Sequence, residues 1–470
     1  MLGRLRPYIL LFAALTAIYH ANLRPVDSSD SLPAALIPFA VVLDHTVTLD
    51  RFAPWLHGHV WYTASIIHQA HGHFFSSYPI GGALLVTPLY LPAGLLVRHW
   101  DAGSLAVLAR IAEKFAAAAV AALSAVLVLL LLKRITTTGW AWCLTFVYAL
   151  ATETWSISSQ ALWQHGPAEL AIIGTLLCLD YWTEHRTSSV ALGMCGVCTA
   201  AAFIFRPTSL VLLPAMVAAF WFAKATLAQH IRFLAAPVVG GVLLAGYNLY
   251  VFHRASGGYA VALLTGSTWA GLAGVFLSPG RGLLMYTPVA LFALCAFSRR
   301  ASSVRNKHNP VLTAAVAFIL LDSIAIARSV NWWGGYCWGP RLLTELIPPL
   351  MVLMAVGASA IDRPWVRSAF AICALYSMLI QAVGVFFYPN GHWDGIPEGV
   401  DELHGRLWNW RDNPIDRTVR GGFYWEPYAI VGAVFTGGIS AAETRMRELN
   451  VNPYEQAQPG KLPGTDRGLP

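Results

Sequence analysis

Apolar runs of about 15–25 residues, long enough to cross a bilayer as helices, recur along the chain between residues 7 and 441. They are too long for strands, and inside a bilayer a backbone has to bond within its own segment. Each run therefore predicts a membrane helix. The candidate spans are 7–22, 105–132, 139–153, 166–183, 188–205, 207–223, 231–252, 283–298, 310–327, 342–360, 366–387 and 427–441. One further run, Gly81–Val97, is interrupted by Pro88 and Pro92. Counting it as a crossing would invert every later loop, so a re-entrant or juxtamembrane helix closing the first long loop is expected instead. The expected fold class is an all-α polytopic membrane protein with about 12 transmembrane helices plus this extra element. The opening stretch has a basic start and an apolar body but no small-x-small cleavage site, and is expected to be a retained first span.

Composition agrees with this pattern. Only 12% of the residues are charged, where a soluble chain carries about 25%. The cations set an orientation. Arg4/Arg6, Lys133/Arg134, Arg186, Lys224/Arg232, Arg299/Arg300/Arg305/Lys307, Arg363/Arg367 and Arg445/Arg447 share one side if the N-terminus is cytoplasmic. Both termini are then cytoplasmic, and the formal net charge of +7 reflects membrane orientation rather than nucleic acid. Residues 1–442 read as one multi-span domain, with 23–80 as the first outer loop and 388–426 as the last. Residues 443–470, rich in Pro and Gly towards the end, read as a disordered cytoplasmic tail. Cys195 and Cys198 form a CxxC in mid-span without partner ligands, which suits packing better than a metal. No internal repeat or nucleotide-binding motif favours a secondary transporter or a pump.

The chemistry concentrates on the outer side. The first loop holds four carboxylates, Asp27, Asp30, Asp44 and Asp50, and a long polar loop in so apolar a chain is usually functional. Arg24, Arg206, Arg254, Arg281, Arg328 and Arg341 lie at outer ends of spans, against the positive-inside trend. An arginine there is costly unless paired, and its planar fork suits phosphate. Arg281 sits in FLSPGRGLLMYTP and Arg341 in NWWGGYCWGPRLL, where Trp333 belongs to a Trp/Gly cluster able to stack a sugar or to anchor at the interface. SSQALWQHGPAE offers Gln164 and His165, either as sugar-binding groups or as a polar helix start. His57, His59, His68, His71 and His73 lack a fixed ligand spacing and read as turns, not as zinc ligands. No metal site is assigned and no cofactor is expected, a divalent metal being left open.

The order of these motifs resembles a known family. An Asp-Ser-x-Pro element (Asp30, Ser31, Pro33) is followed by YPIGGALL (Tyr78, Pro79, Gly81) and SQALWQHGP, then by RPTSL, YNLYVF, SPGRGLLMYTP and WWGGYCWGPRLL. Over residues 1–425 the series is similar to the bacterial GT-C-fold membrane glycosyltransferases, which include protein mannosyltransferases and aminoarabinose transferases. That resemblance implies a polyprenyl-phosphate-sugar donor, an active site on the periplasmic face of the inner membrane, and a glycan, lipid or protein acceptor. It also implies an acidic base in the first outer loop, matching Asp30 or Asp27. In many members a further carboxylate follows the third span. Gln164 and His165 stand there instead, with Glu153 and Glu169 flanking.

The expected activity is transfer of the sugar to an acceptor hydroxyl with inversion, Asp30 or Asp27 acting as general base. Arg281, Arg341 and Arg206 are the expected donor-phosphate ligands. Gln164, His165, Trp333 and Tyr78 are the expected sugar or acceptor ligands. The alternative is a transporter or flippase of lipid-linked sugars, whose mid-span charges would be Glu113, Lys114 and Asp322.

Overall fold

The computed structural model describes residues 2–24, 28–57, 66–258 and 264–448. Numbering the α-helices of ten residues or more, α1 is Leu2–Tyr19 and α2 is Leu32–Asp44. Next come α3 (Gly81–Leu96), α4 (Ala102–Ile135), α5 (Thr138–Leu150), α6 (His165–Glu184) and α7 (Ser189–Phe205). Then follow α8 (Leu212–Phe222), α9 (Leu227–Phe252), α10 (Thr268–Leu277) and α11 (Asn309–Ala327). Last are α12 (Ile347–Gly357), α13 (Pro364–Phe386) and α14 (Glu426–Glu448). The chain is an all-α integral membrane protein, and each expected span except 283–298 falls mainly on helix. Among the described residues, α4, α9, α11, α13 and the segment Arg341–Ala360 are long and apolar enough to cross a membrane unaided.

The longest helix organises the rest. Asp101 caps α4, its carboxylate accepting from the Gly103 and Ser104 amides at 2.9 and 3.1 Å, which holds the first-turn N–H groups. With 34 residues α4 is about 51 Å long, well beyond the hydrocarbon core of about 30 Å. Its first half carries a separate core in which Leu105, Ala106 and Ala109 meet α2 and α3, with Phe39 and Tyr90 edge to face at 5.1 Å. Its second half, from Ala118 onward, packs in the main core with α1, α5, α6 and α12. The pair α2/α3 thus leans on the overhanging part of α4.

The two ends differ in charge. Where α4 finishes, Arg134 binds Asp180 at 2.5 Å and Glu184 at 2.7 Å. At the same end His308 also binds Asp180, at 2.7 Å, and Arg300 pairs with Asp362. This basic end lies opposite the first-loop end, where α4 starts.

Several expectations change. The run 283–298 is not one α-helix but a turn, Leu283–Tyr286, and a 3-10 segment, Pro288–Phe297. Pro288 removes the amide that would continue the helix. Residues 253–282, expected as loop, contain α10, which packs on α11 so closely that a Cβ on Gly271 would lie 1.9 Å from the Ala327 carbonyl oxygen. The expected tail starts late, because α14, broken at Gly438 where φ is 71°, resumes as helix to Glu448; residues 449–470 lie outside the described residues. A hairpin, β1 (Ile67–Ala70) and β2 (His73–Ser76), pairs antiparallel across His71 and Gly72. Both turn residues have positive φ, 51° and 77°, the backbone a two-residue hairpin turn requires.

Candidate functional site

The site is assembled by α4. Arg110 donates to the Ser28 carbonyl at 3.1 Å and to Glu113 at 3.0 Å, and Glu113 accepts from the Leu162 amide at 2.9 Å. Lys114, one residue on, donates to Gln160 at 2.6 Å and to the Ser159 carbonyl at 3.3 Å. One stretch of helix therefore fixes both the segment preceding α2 and the segment preceding α6. Trp163 links the two by donating from Nε1 to Ser28 Oγ at 3.0 Å.

Asp30 sits on this frame. One carboxylate oxygen accepts from the Tyr78 hydroxyl at 2.8 Å, and the other from Arg341 Nη1 at 2.8 Å. Arg341 also donates to the Gly334 carbonyl at 2.7 Å and lies over the Trp163 ring, 5.7 Å from its centroid. Gly334 and Gly335 both have left-handed φ, 78° and 70°, which glycine adopts without steric cost. Their carbonyls then face the two arginines, Gly334 towards Arg341 and Gly335 towards Arg281 at 3.1 Å. The Asp30 side chain keeps 32% of its surface exposed, against 12% for Arg341, so the carboxylate is open to an incoming molecule. Burial raises the Asp30 carboxyl, but the neighbouring Arg341 charge and the hydrogen bonds from Tyr78 and Arg341 outweigh it. The group lies below the ordinary carboxylate range and stays ionised.

A second polar group backs the first. His165 Nδ1 lies 2.9 Å from Glu345 Oε1, and Arg206 Nε lies 2.9 Å from the same oxygen. Arg206 also donates to Thr208 at 2.9 Å and reaches the His165 ring at 3.1 Å. Arg341 and Glu345 share one 3-10 turn, Arg341–Leu346, so the two groups are mechanically joined. An apolar groove of about 190 Å³ runs beside Tyr78, lined by Leu84, Ile204, Leu243, Tyr247 and Phe252 of α3, α7 and α9. The adjoining face of α9 is bare, with Val239, Val242 and Leu243 all more than half exposed, as a lipid-facing helix would be.

Five residues named from sequence thus converge: Asp30, Tyr78, His165, Arg206 and Arg341. Gln164 stands at the same helix start, its buried side-chain oxygen without a hydrogen-bond partner among the described residues. Arg281 does not join them. It is 1% exposed, paired with Asp394, bonded to the Gly280 carbonyl at 3.0 Å and placed over Trp393. Burial works against its charge, Asp394 more than compensates, and the guanidinium is held cationic. Trp333 likewise packs against the last loop, donating to Asp401 at 2.7 Å and packing on His404. Asp27 lies outside the described residues. Asp44 pairs with Arg51, and Asp50 accepts from the Phe74 amide at 2.8 Å, so both brace the first loop.

The sequence reading missed Glu345, Trp163, Ser28 and Arg110. Glu345 carried a signal: a lone carboxylate in RLLTELIPPL is costly in hydrocarbon and implies a partner. Of the histidines, His71 stacks on Tyr250 and His73 bonds Asp50 at 2.6 Å. His59 lies outside the described residues. Among the described residues no group of three His, Cys, Asp or Glu side chains is arranged to hold a metal ion.

Neither protein-family models nor curated proteins give a match to this chain. Solved structures do. The crystal structure of ArnT from Cupriavidus metallidurans bound to undecaprenyl phosphate is 12% identical with a TM-score of 0.48, covering 94% of this chain and 75% of that one. The same protein in the apo state is 13% identical with a TM-score of 0.46, covering 95% and 72%. At this identity and TM-score the likeness assigns no chemistry to this chain.

Proposed function

We propose that the chain is a membrane glycosyltransferase that moves a sugar from a polyprenyl-phosphate donor to a hydroxyl acceptor, with Asp30 as general base. The observation that carries this reading is the Asp30–Arg341 pair at 2.8 Å, beside an apolar groove at one end of a membrane bundle. Glycosyl transfer from a lipid phosphate needs these parts together: a carboxylate for the acceptor proton, a fixed cation for the departing phosphate and an apolar path for the prenyl chain.

In the resting site Asp30 and Arg341 neutralise each other. A donor phosphate competes for the Arg341 guanidinium, whose fork takes two phosphate oxygens. Asp30 then keeps its Tyr78 bond and loses its cation, which raises its basicity as the donor arrives. The acceptor oxygen attacks the anomeric carbon while its proton passes to Asp30. The bond from that carbon to the phosphate oxygen breaks, and the electron pair leaves on the phosphate beside Arg341. With one base and no carboxylate nucleophile, the anomeric configuration inverts. Arg206, held by Glu345 and His165, is the second cation near the phosphate, and Gln164 is a sugar ligand. Arg281 is assigned to holding the last loop, because its guanidinium pairs with Asp394 there. By the distribution of Lys and Arg, the basic end is placed in the cytoplasm and the site on the periplasmic side of the inner membrane.

The flippase reading loses two of its three mid-span charges, since Glu113 and Lys114 hold the site's loops. Asp322 remains, buried with both carboxylate oxygens unpartnered among the described residues. Proteoliposomes loaded with polyprenyl-phosphate-sugar separate the two: acceptor-dependent sugar release supports transfer, whereas lipid movement without release supports the flippase.

A further inference from the structure

We propose that the basic end carries a second binding site, for the headgroup of an anionic phospholipid. A cleft of about 460 Å³ opens where α6 and α8 end and α11 begins, lined by Glu184, Arg186, Lys224, Asn306, Lys307 and His308. The carboxylates at this end are already paired. Glu184 is shared by Arg134 at 2.7 Å and Lys307 at 3.8 Å, and Asp180 behind it by Arg134 and His308. Arg186, Lys224 and Lys307 line the cleft against the one carboxylate of Glu184, leaving excess positive charge there.

The cleft is also built. Arg186 is fixed by the Thr183 and Ala223 carbonyls at 3.2 and 2.8 Å and lies 4.5 Å over Trp182. Lys224 holds a left-handed backbone at φ 54°, unusual for a residue with a Cβ, and its ammonium has no ion pair among the described residues. His308, 2% exposed, gives Nδ1 to Asp180 and leaves Nε2 without a partner among the described residues.

A soluble phosphate would need only the cations. The flank of the cleft offers more: Trp221, Phe222 and Leu227 are 77%, 61% and 76% exposed. Apolar side chains beside a cationic cleft at the end of a membrane bundle match an amphiphile, with acyl chains along α8 and the phosphodiester among the lysines. Basic pockets between membrane helices bind anionic lipid headgroups in this manner.

Native mass spectrometry of the detergent-purified full chain tests it with phosphatidylglycerol, phosphatidylcholine and inorganic phosphate as probes. Phosphatidylglycerol should be retained and phosphatidylcholine not. The double variant Lys224→Ala/Lys307→Ala should retain phosphatidylglycerol about thirtyfold less well at an unchanged thermal midpoint. Lys224→Arg, which keeps the charge, should bind as the unaltered chain does. Equal retention of the two lipids, undiminished retention by the double variant, or binding of inorganic phosphate with phosphatidylglycerol unbound would each overturn the proposal.

Discussion

Among single residues, the site turns on how Arg341 divides its guanidinium between Asp30 and the Gly334 carbonyl. Arg341→Lys keeps the charge but not the planar fork that meets both partners. Transfer should fall by about 10²-fold while the protein stays folded, and near-normal transfer by this variant would show that the fork is unimportant. The Asp30 carboxyl lies below its ordinary range of about 3.9. A depressed carboxyl contributes stability above its unfolded pKa and loses it as pH falls through the folded one. In activity the same shift puts the acid limb of kcat/KM, which reports the free enzyme, below the ordinary carboxylate range. Donor binding draws Arg341 away, so the limb of kcat, which reports the complex, should stand at higher pH. Coincident limbs would mean that Arg341 stays on Asp30 throughout. Glu345 is the residue whose role only the structure reveals. Glu345→Gln unpairs two buried partners, Arg206 and His165, and breaking a buried pair costs about 3–5 kcal/mol. A clearly lower thermal midpoint is expected, and an unchanged one would contradict the pairing.

Helices were the easy part of the sequence, and contacts between them the hard part. Long apolar runs force helix in a bilayer, so α4, α9, α11 and α13 stand within a few residues of their expected bounds. The ten-residue α10 is too short to signal a span, and its identity lies in close packing that no periodicity encodes. Gly271→Val tests that packing. With the Cβ site only 1.9 Å from the Ala327 oxygen, α10 and α11 would have to separate, which should lower thermal stability and with it folded yield. Normal stability would mean the two helices do not pack as closely as described. The site was partly visible for a similar reason: Asp30, Arg206 and Arg341 are charged residues where charge is expensive, which makes them conspicuous. Trp163 and Ser28 are ordinary residues whose part depends on α4 bringing two loops together, and Arg281 was conspicuous too, yet its partner Asp394 lies 113 positions away.

Taken whole, the molecule is a bundle with a basic end and a first-loop end, each with its own polar site. The orientation proposed for it is testable by labelling single cysteines with a membrane-impermeant maleimide in intact cells, in a background lacking the native thiols. Trp100→Cys, between α3 and α4, should react, and Lys307→Cys should react only after the cells are opened; the opposite pattern would put the site in the cytoplasm. The most direct test concerns Asp30. Purified Asp30→Asn protein is reconstituted in proteoliposomes with a polyprenyl-phosphate-sugar and acceptor, and transfer is compared with that of the unaltered chain and of Asp44→Asn. Loss of Asp30 should reduce turnover by about 10²–10⁴-fold with Asp44→Asn near normal, whereas full transfer by Asp30→Asn would contradict its role as the base.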